Sequence, residues 1–154
     1  MKAWFFHCGT REPAASAGLL VLRVTAGLMM AFGHGWGKIE NYITLKEHWP
    51  VPGFLPFLSS PASLIATIVC EFGCGLLLAL GLFTRWAAFL LGFTMVVAAF
   101  DVNGDNPWFL GPGVAAAKEP ALLYLLPAVV VILAGAGAYS FDALIYRDRK
   151  RRYR

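Results

Sequence analysis

Four long apolar segments, separated by polar stretches, dominate the chain. The first contains one charged residue, Arg23, and the second contains only Glu71. A helix needs about 20 apolar residues to cross a hydrocarbon core that is ~30 Å thick. The third segment has only 15 uncharged residues, 86–100, so its helix must use flanking residues at both ends. The pattern predicts an all-α fold, an antiparallel bundle of four transmembrane helices in one domain (1–146), at residues 14–34, 61–83, 85–102 and 119–141.

A cleaved signal peptide is the alternative interpretation of the first segment. The apolar core of a signal peptide spans ~7–15 residues and ends at a small-residue cleavage site. Residues 14–34 are longer than that and lack such a site, which favours a transmembrane helix.

Two segments rich in Gly and Pro, residues 35–60 and 101–118, provide the loops. The first of them carries several aromatic residues, including Trp36 and Trp49. Aromatic side chains at this density are typical of the membrane interface, where an amphipathic ring contacts both lipid and water. Residues 38–48 could form a short interfacial helix there.

The composition and charge agree with a membrane protein. Hydrophobic residues make up 58% of the chain and charged residues 14%, whereas charged residues make up ~25% of a soluble domain. This excludes a disordered chain, a nucleic-acid-binding module and a typical cytosolic enzyme. The net charge of +4 arises in the tail, residues 147–154, which has six basic residues and one acidic residue. Such a tail can contact anionic lipid or a cytoplasmic partner.

The distribution of Lys and Arg predicts the orientation, because cytoplasmic segments of membrane proteins carry an excess of both. With four crossings and the tail inside, nine of these residues lie in the cytoplasm: Lys2, Arg11, Arg85 and six in the tail. Three lie outside: Lys38, Lys46 and Lys118. We therefore expect an integral protein of the plasma (inner) membrane with both termini in the cytoplasm.

The charges within the first two helices need partners, since an ionisable group in lipid costs ~2.5–3.5 kcal/mol or more. A direct Arg23–Glu71 pair is not expected. The two residues start at different depths, and helical side chains lean towards the N-terminus of their own helix. Arg23 should lean towards Ser140 and Asp142 at the cytoplasmic end, where it would form an ion pair or packing contacts.

Glu71 should lean the other way, towards His34 and Lys38 at the outer end of the first helix. Other polar residues are expected at the same level: Asp101, Lys118 and Glu119. The sequence thus predicts a polar pocket in the outer half of the bundle. The alternative is that these charges only hold the helices in register.

Cys70 and Cys74 lie four residues apart, on the helix face that carries Glu71. They could form a dithiol that faces a quinone or a partner's disulfide. A regular helix does not easily bring Cβ atoms at this spacing to disulfide distance. We therefore favour two small buried residues that, with Gly73 and Gly75, let helices approach closely.

A metal or haem site is not predicted. No second His and no carboxylate stand at ligand spacing from His34. His7 and His48 fall on opposite sides of the membrane in this topology.

Taken together, these residues resemble the DoxX family of small four-helix membrane proteins. The likeness extends from residue 18 to residue 142. It rests on short motifs in a fixed order: Arg23 with Gly27, then GHGWGK (33–38), EFGCG (71–75), GLFTR (81–85), KEPA (118–121) and GAGAYSFD (135–142).

The resemblance implies a membrane redox accessory. The namesake of the family resembles the small subunit of an archaeal thiosulfate:quinone oxidoreductase, and other members are associated with thiol-redox and oxidative-stress complexes. Relatives in a wider group carry a redox-active C-x-x-C pair, from which the C-x-x-x-C of this chain departs. The implied partner is a redox-complex subunit or a second copy of the chain.

On this hypothesis the outer pocket receives a quinone head group. His34 or Lys38 would donate a hydrogen bond to a quinone oxygen, and Asp101 would also contact the bound head group. Glu71 or Glu119 would carry protons, and Trp36 and the loop aromatics, Trp49 among them, would stack on the ring. Two other classes remain open, a non-catalytic anchor or assembly subunit and, less favoured, a small transporter.

Overall fold

A computed structural model describes residues 9–145, and all regular secondary structure in that range is helical. The basic tail at 147–154, and with it the predicted lipid or partner contact, lies outside the described residues. The helices are α1 (Pro13–Glu40), α2 (Tyr42–Leu45), α3 (Ser60–Leu80), α4 (Thr84–Val102) and α5 (Glu119–Ala134), and residues 141–145 at the end of the described range are also helical. The predicted all-helical class is confirmed.

Three of these helices are long and apolar enough to cross a membrane. They are α1, α3 and α4, with 28, 21 and 19 residues and mean hydropathies of 1.7, 2.1 and 1.5. The fourth apolar helix, α5, has 16 residues. Large apolar side chains remain exposed on the outside of the bundle, including Val21 at 65% and Leu133 at 71%. Exposure of this kind suits a lipid environment, since a soluble monomer rarely shows extended apolar patches.

Two predicted helix ends were wrong. The first helix does not end at residue 34 but continues to Glu40, because a π-helical turn carries the chain through Gly33 and Gly35 without a break. The fourth predicted helix ends at Ala134 instead of residue 141. There Gly135 adopts φ 85°, a left-handed conformation that glycine adopts without strain and that ends the helix.

Each long helix contains one five-residue π-helical turn. These turns are Ala31–Gly35 in α1, Val69–Gly73 in α3 and Ala98–Val102 in α4. All three lie at the end of the bundle where segments 41–59 and 103–118 connect the helices, which we call the loop end. The opposite end holds Arg23, the turn at 81–83 and residues 135–142, and we call it the Arg23 end.

Glycines set the spacing between α1 and α3. A methyl group added at Gly27 would lie 2.4 Å from the carbonyl oxygen of Gly75, and one added at Gly75 would lie 2.8 Å from that of Gly27. Small residues allow helix backbones to approach this closely in membranes. Beside this crossing, Met30, Leu78 and Leu91 belong to the buried core to which α1, α3, α4 and α5 all contribute.

Candidate functional site

A part-buried ion pair lies at the loop end. Glu71 lies in the π turn of α3 and is only 7% exposed. The ammonium group of Lys38, which follows the π turn of α1, forms an ion pair with the Glu71 carboxylate. Lys38 Nζ also donates a hydrogen bond to the carbonyl oxygen of His34 at 3.2 Å and stands 5.5 Å from the centroid of the Trp49 ring.

A cavity of about 300 Å³ opens on one side of Glu71, and we call it the His34 cavity. Its polar wall is formed by His34, Glu71, Asn103 and Tyr124, and the rest is mostly Ala, Met and Leu. The rings of His34 and Tyr124 meet edge to face, with centroids 5.2 Å apart. An apolar cavity with a few convergent polar groups is the usual form of a small-molecule site.

A second cavity, of about 260 Å³, opens on the other side of Glu71, and we call it the Trp49 cavity. It is lined by Lys38, Trp49 and three hydroxyl residues (Ser63, Thr67 and Thr94). The indole of Trp49 donates to the Thr67 hydroxyl at 3.3 Å, which fixes the ring at the cavity wall. Glu71 and Asn103 line both cavities, so the carboxylate stands between them.

The π turns place these groups. His34 belongs to the π turn of α1, Glu71 to that of α3, and Ala98, which lines both cavities, to that of α4. A π turn widens the helix locally, and such turns are frequent at functional sites. The sequence predicted neither the π turns nor Tyr124 as a wall residue. Trp49 was among the loop aromatics expected at the quinone ring, and it lines the second cavity.

Several predicted pocket residues bind the loops instead. The Asp101 carboxylate accepts a hydrogen bond from the Gly53 amide at 2.9 Å. The Glu119 carboxylate accepts one from the Leu110 amide at 2.9 Å. Neither carboxylate lines the two cavities.

Trp36 and Lys118 are also outside both cavities. Trp36 is 44% exposed, and its ring lies 5.8 Å from that of Phe72. Lys118 donates to the carbonyl oxygens of Gly104 and Asn106, both at 2.7 Å, and so holds the segment before α5.

At the opposite end, Arg23 is 1% exposed and bonds main-chain groups. Its guanidinium donates to the carbonyl oxygens of Leu78, at 3.3 Å, and Ala79, at 2.7 Å, in the last turn of α3. It also donates to the carbonyl oxygen of Tyr139. Carbonyls at a helix C-terminus lack helical partners and attract cations. No hydrogen bond or ion pair joins Arg23 to Glu71 within residues 9–145.

Ser140 lies beside that guanidinium. Asp142 forms no ion pair with Arg23 within residues 9–145, although its charge is close enough to act on Arg23 electrostatically. The Asp142 carboxylate accepts from the amides of Phe83 and Thr84, both at 2.9 Å, and from the Thr84 hydroxyl at 2.6 Å. It thereby caps the start of α4. The Ser140 hydroxyl donates to the Gly137 carbonyl oxygen at 2.8 Å.

Cys70 and Cys74 are free thiols beside Glu71, one half-buried and one buried. In the described part of the chain, no group of three or more His, Cys, Asp or Glu side chains is placed to hold a metal ion.

Comparisons with known proteins place the chain in a family. The sequence model of the DoxX family matches residues 18–104, a range that includes Arg23, His34, Lys38 and Glu71. An uncharacterized protein of Haemophilus influenzae is 36% identical over 129 residues, which cover 84% of this chain and 91% of that protein. No solved structure matches the chain. With three helices long and apolar enough to span a bilayer, this membrane protein belongs to the DoxX family.

Proposed function

We propose that the chain binds the head group of a membrane quinone beside Glu71, as a small subunit or accessory of a quinone-linked redox complex. The observation that carries the proposal is the pair of buried Glu71 and half-buried Lys38, which stands between two cavities beside π turns. An ion pair that only joined helices would need no cavity on either side. Buried ionisable groups in membrane helices mark functional sites more often than other buried residues do.

The chemistry of the walls suits a quinone. In the His34 cavity, His34 and Tyr124 can donate hydrogen bonds to quinone oxygens. Lys38 and Trp49 offer a donor and an aromatic face in the neighbouring cavity, on the other side of Glu71. Reduction of a quinone to a quinol takes two electrons and two protons. The electrons come from a redox cofactor of the partner subunit, and Glu71, the predicted proton carrier that lines the cavities, relays protons to the quinone oxygens.

The test is purification with native partners in mild detergent, followed by quinone extraction and an assay of electron transfer. Wild type should retain a quinone. Glu71→Gln keeps shape and hydrogen bonding but cannot exchange a proton, so it should fold and lose quinone-linked activity. Glu40→Gln, an exposed carboxylate on the same side of the bundle, is the matched control and should keep full activity. Full activity in Glu71→Gln, with quinone still bound, would remove Glu71 from the mechanism.

A non-catalytic anchor or assembly subunit is the second candidate. It is favoured by the buried charges that bond main-chain groups of the chain itself, Arg23, Asp142 and Lys118. Under this candidate the purified complex carries no quinone at this subunit, and Glu71→Gln changes the yield of the complex rather than its turnover.

The proposed topology has four crossings, with α5 and residues 135–145 forming the last, and both termini on the cytoplasmic side of the inner membrane. The support is the excess of Lys and Arg that this orientation gives the cytoplasm. After replacement of the native cysteines by alanine, an impermeant thiol reagent applied from outside should label a cysteine at Asn106 and not one at Tyr153. The reverse labelling would place the loop end in the cytoplasm.

A further inference from the structure

An apolar groove of about 450 Å³ runs along the outside of the bundle between α1 and α5. Its walls come from one face of each helix: Val21, Thr25, Ala26 and Met29 of α1, with Leu123 and Pro127 of α5. Val21, Met29 and Leu123 are 65%, 55% and 62% exposed, so the groove is open to the surrounding bilayer. Its side chains carry no charge.

The groove and the His34 cavity are neighbours on either side of one residue. Tyr124 lines both the groove and the His34 cavity, and its ring meets that of His34 at the junction. Two consecutive methionines of α1 line different spaces: Met29 lines the groove, and Met30 lines the His34 cavity. The Tyr124 side chain is therefore the wall that the groove and the His34 cavity share.

The packing of the helices explains why the groove between α1 and α5 is not filled. In the body of the bundle α1 packs mainly on α3, and α5 packs mainly on α4, so the α1–α5 seam is the loosely packed one. Small side chains at Thr25 and Ala26 leave space on the α1 side. On the α5 side, Pro127 has no N–H for the Leu123 carbonyl, which weakens the helix at this level.

We propose that the groove holds the isoprenoid tail of the quinone, which reaches the His34 cavity sideways from the bilayer between α1 and α5. The His34–Tyr124 pair then marks the boundary between head group and tail. A quinone suits the site better than a phospholipid, because neither the groove nor the His34 cavity is lined by a Lys or Arg that would attract a phosphate, and the one carboxylate in the cavity wall, Glu71, would repel it. This inference rests on the proposed function and adds the route and the tail site.

The experiment uses the full chain in lipid nanodiscs and two probes, 2,3-dimethoxy-5-methyl-1,4-benzoquinone, which has no tail, and its decyl derivative. Binding is measured by quenching of tryptophan fluorescence, with Trp49 at the neighbouring cavity. Ala26→Phe fills the groove with a ring and should weaken binding of the decyl probe about tenfold or more, a loss of ~1.4 kcal/mol. Binding of the tail-less probe should be unchanged. Ala66→Phe, at an exposed position of α3, should alter neither.

The outcomes separate the two proposals. If wild type binds neither probe, the proposed function fails and the tail site fails with it. If wild type binds both and Ala26→Phe binds the decyl probe as wild type does, the tail site alone is overturned.

A measurement on the wild type covers the case in which Ala26→Phe does not fold. A quinone with a diazirine at the end of its tail should cross-link within 21–29 and 123–127. Cross-links confined to the exposed faces of α3 and α4 would overturn the groove.

Discussion

The Arg23 end and the loop end of the bundle both hold a buried charge, but the two charges have different neighbours. Arg23 is bonded to carbonyl oxygens of three residues, Leu78, Ala79 and Tyr139. Glu71 is bonded to another side chain, Lys38, and has a cavity on each side. A carbonyl oxygen can move only if its backbone segment moves, whereas a lysine side chain can change rotamer. The first charge therefore locks the helices, and the second can respond to a ligand.

The largest effect should come from Arg23→Ala. It leaves carbonyls at the end of α3 and in 135–142 without donors and removes the positive charge near Asp142. Loss of one partner in a buried charged network costs ~3–5 kcal/mol in soluble proteins. The free energy of unfolding in mixed detergent micelles should fall by about that amount, with Arg23→Lys in between. A loss below ~1 kcal/mol would mean that the Arg23 end is not locked by this residue.

An intermediate effect should come from the crossing that lies between the two ends. In Gly27→Ala the new methyl group would meet the Gly75 carbonyl at 2.4 Å, so α1 and α3 must separate. Overpacking of this kind costs ~1–3 kcal/mol, and the same unfolding assay measures it. Gly18→Ala is the control in the same helix, because nothing lies within 4 Å of its added Cβ, and stability should be kept or increased. Equal losses in both variants would show that the close approach does not limit stability.

The smallest loss of stability should come from Glu71→Gln. The amide can still accept a hydrogen bond from Lys38, and Lys38 keeps its bond to the His34 carbonyl oxygen and its contact with Trp49. We expect a loss of about 1 kcal/mol, the size of one ordinary hydrogen bond. A loss as large as that of Arg23→Ala would erase the difference between the two ends and make Glu71 a structural residue.

Local rules were sufficient for the helical class and for the grouping of Glu71 with Lys38. Hydrophobic run length located the helices, and the lean of side chains towards the helix N-terminus pointed Glu71 at Lys38 and His34. The structure has these three residues together. Each rule describes a single helix, and the predicted order of crossings then put Glu71 at the level of the outer end of the first helix.

The π turns and the hydrogen bonds of the predicted pocket carboxylates depend on how helices and loops pack together. Nothing local in the sequence separates a π turn from an α turn, since the extra residue is accommodated by neighbouring helices. Asp101 and Glu119 lie at the expected level but are occupied by loop amides, which depends on the path of 41–59 and 103–118. Tyr124 did give a signal, as a hydroxyl-bearing side chain in an otherwise apolar helix. Gly135 and Gly137 gave another, because GAGA fits a helix by hydropathy and a turn by backbone freedom.

The contact between Asp142 and the start of α4 has a consequence for the order of assembly. The amides of Phe83 and Thr84 leave the ribosome long before the carboxylate that caps them, since Asp142 lies 58 residues after Thr84. At ~5–20 residues per second, the turn between α3 and α4 waits about 3–12 s for its cap. A nascent chain stalled before residue 142 should therefore be cut by protease at 81–84, whereas the completed chain should resist. Asp142 is one of the last described residues to be synthesised, so we expect unfinished copies to have a protease-sensitive turn that is protected in finished copies.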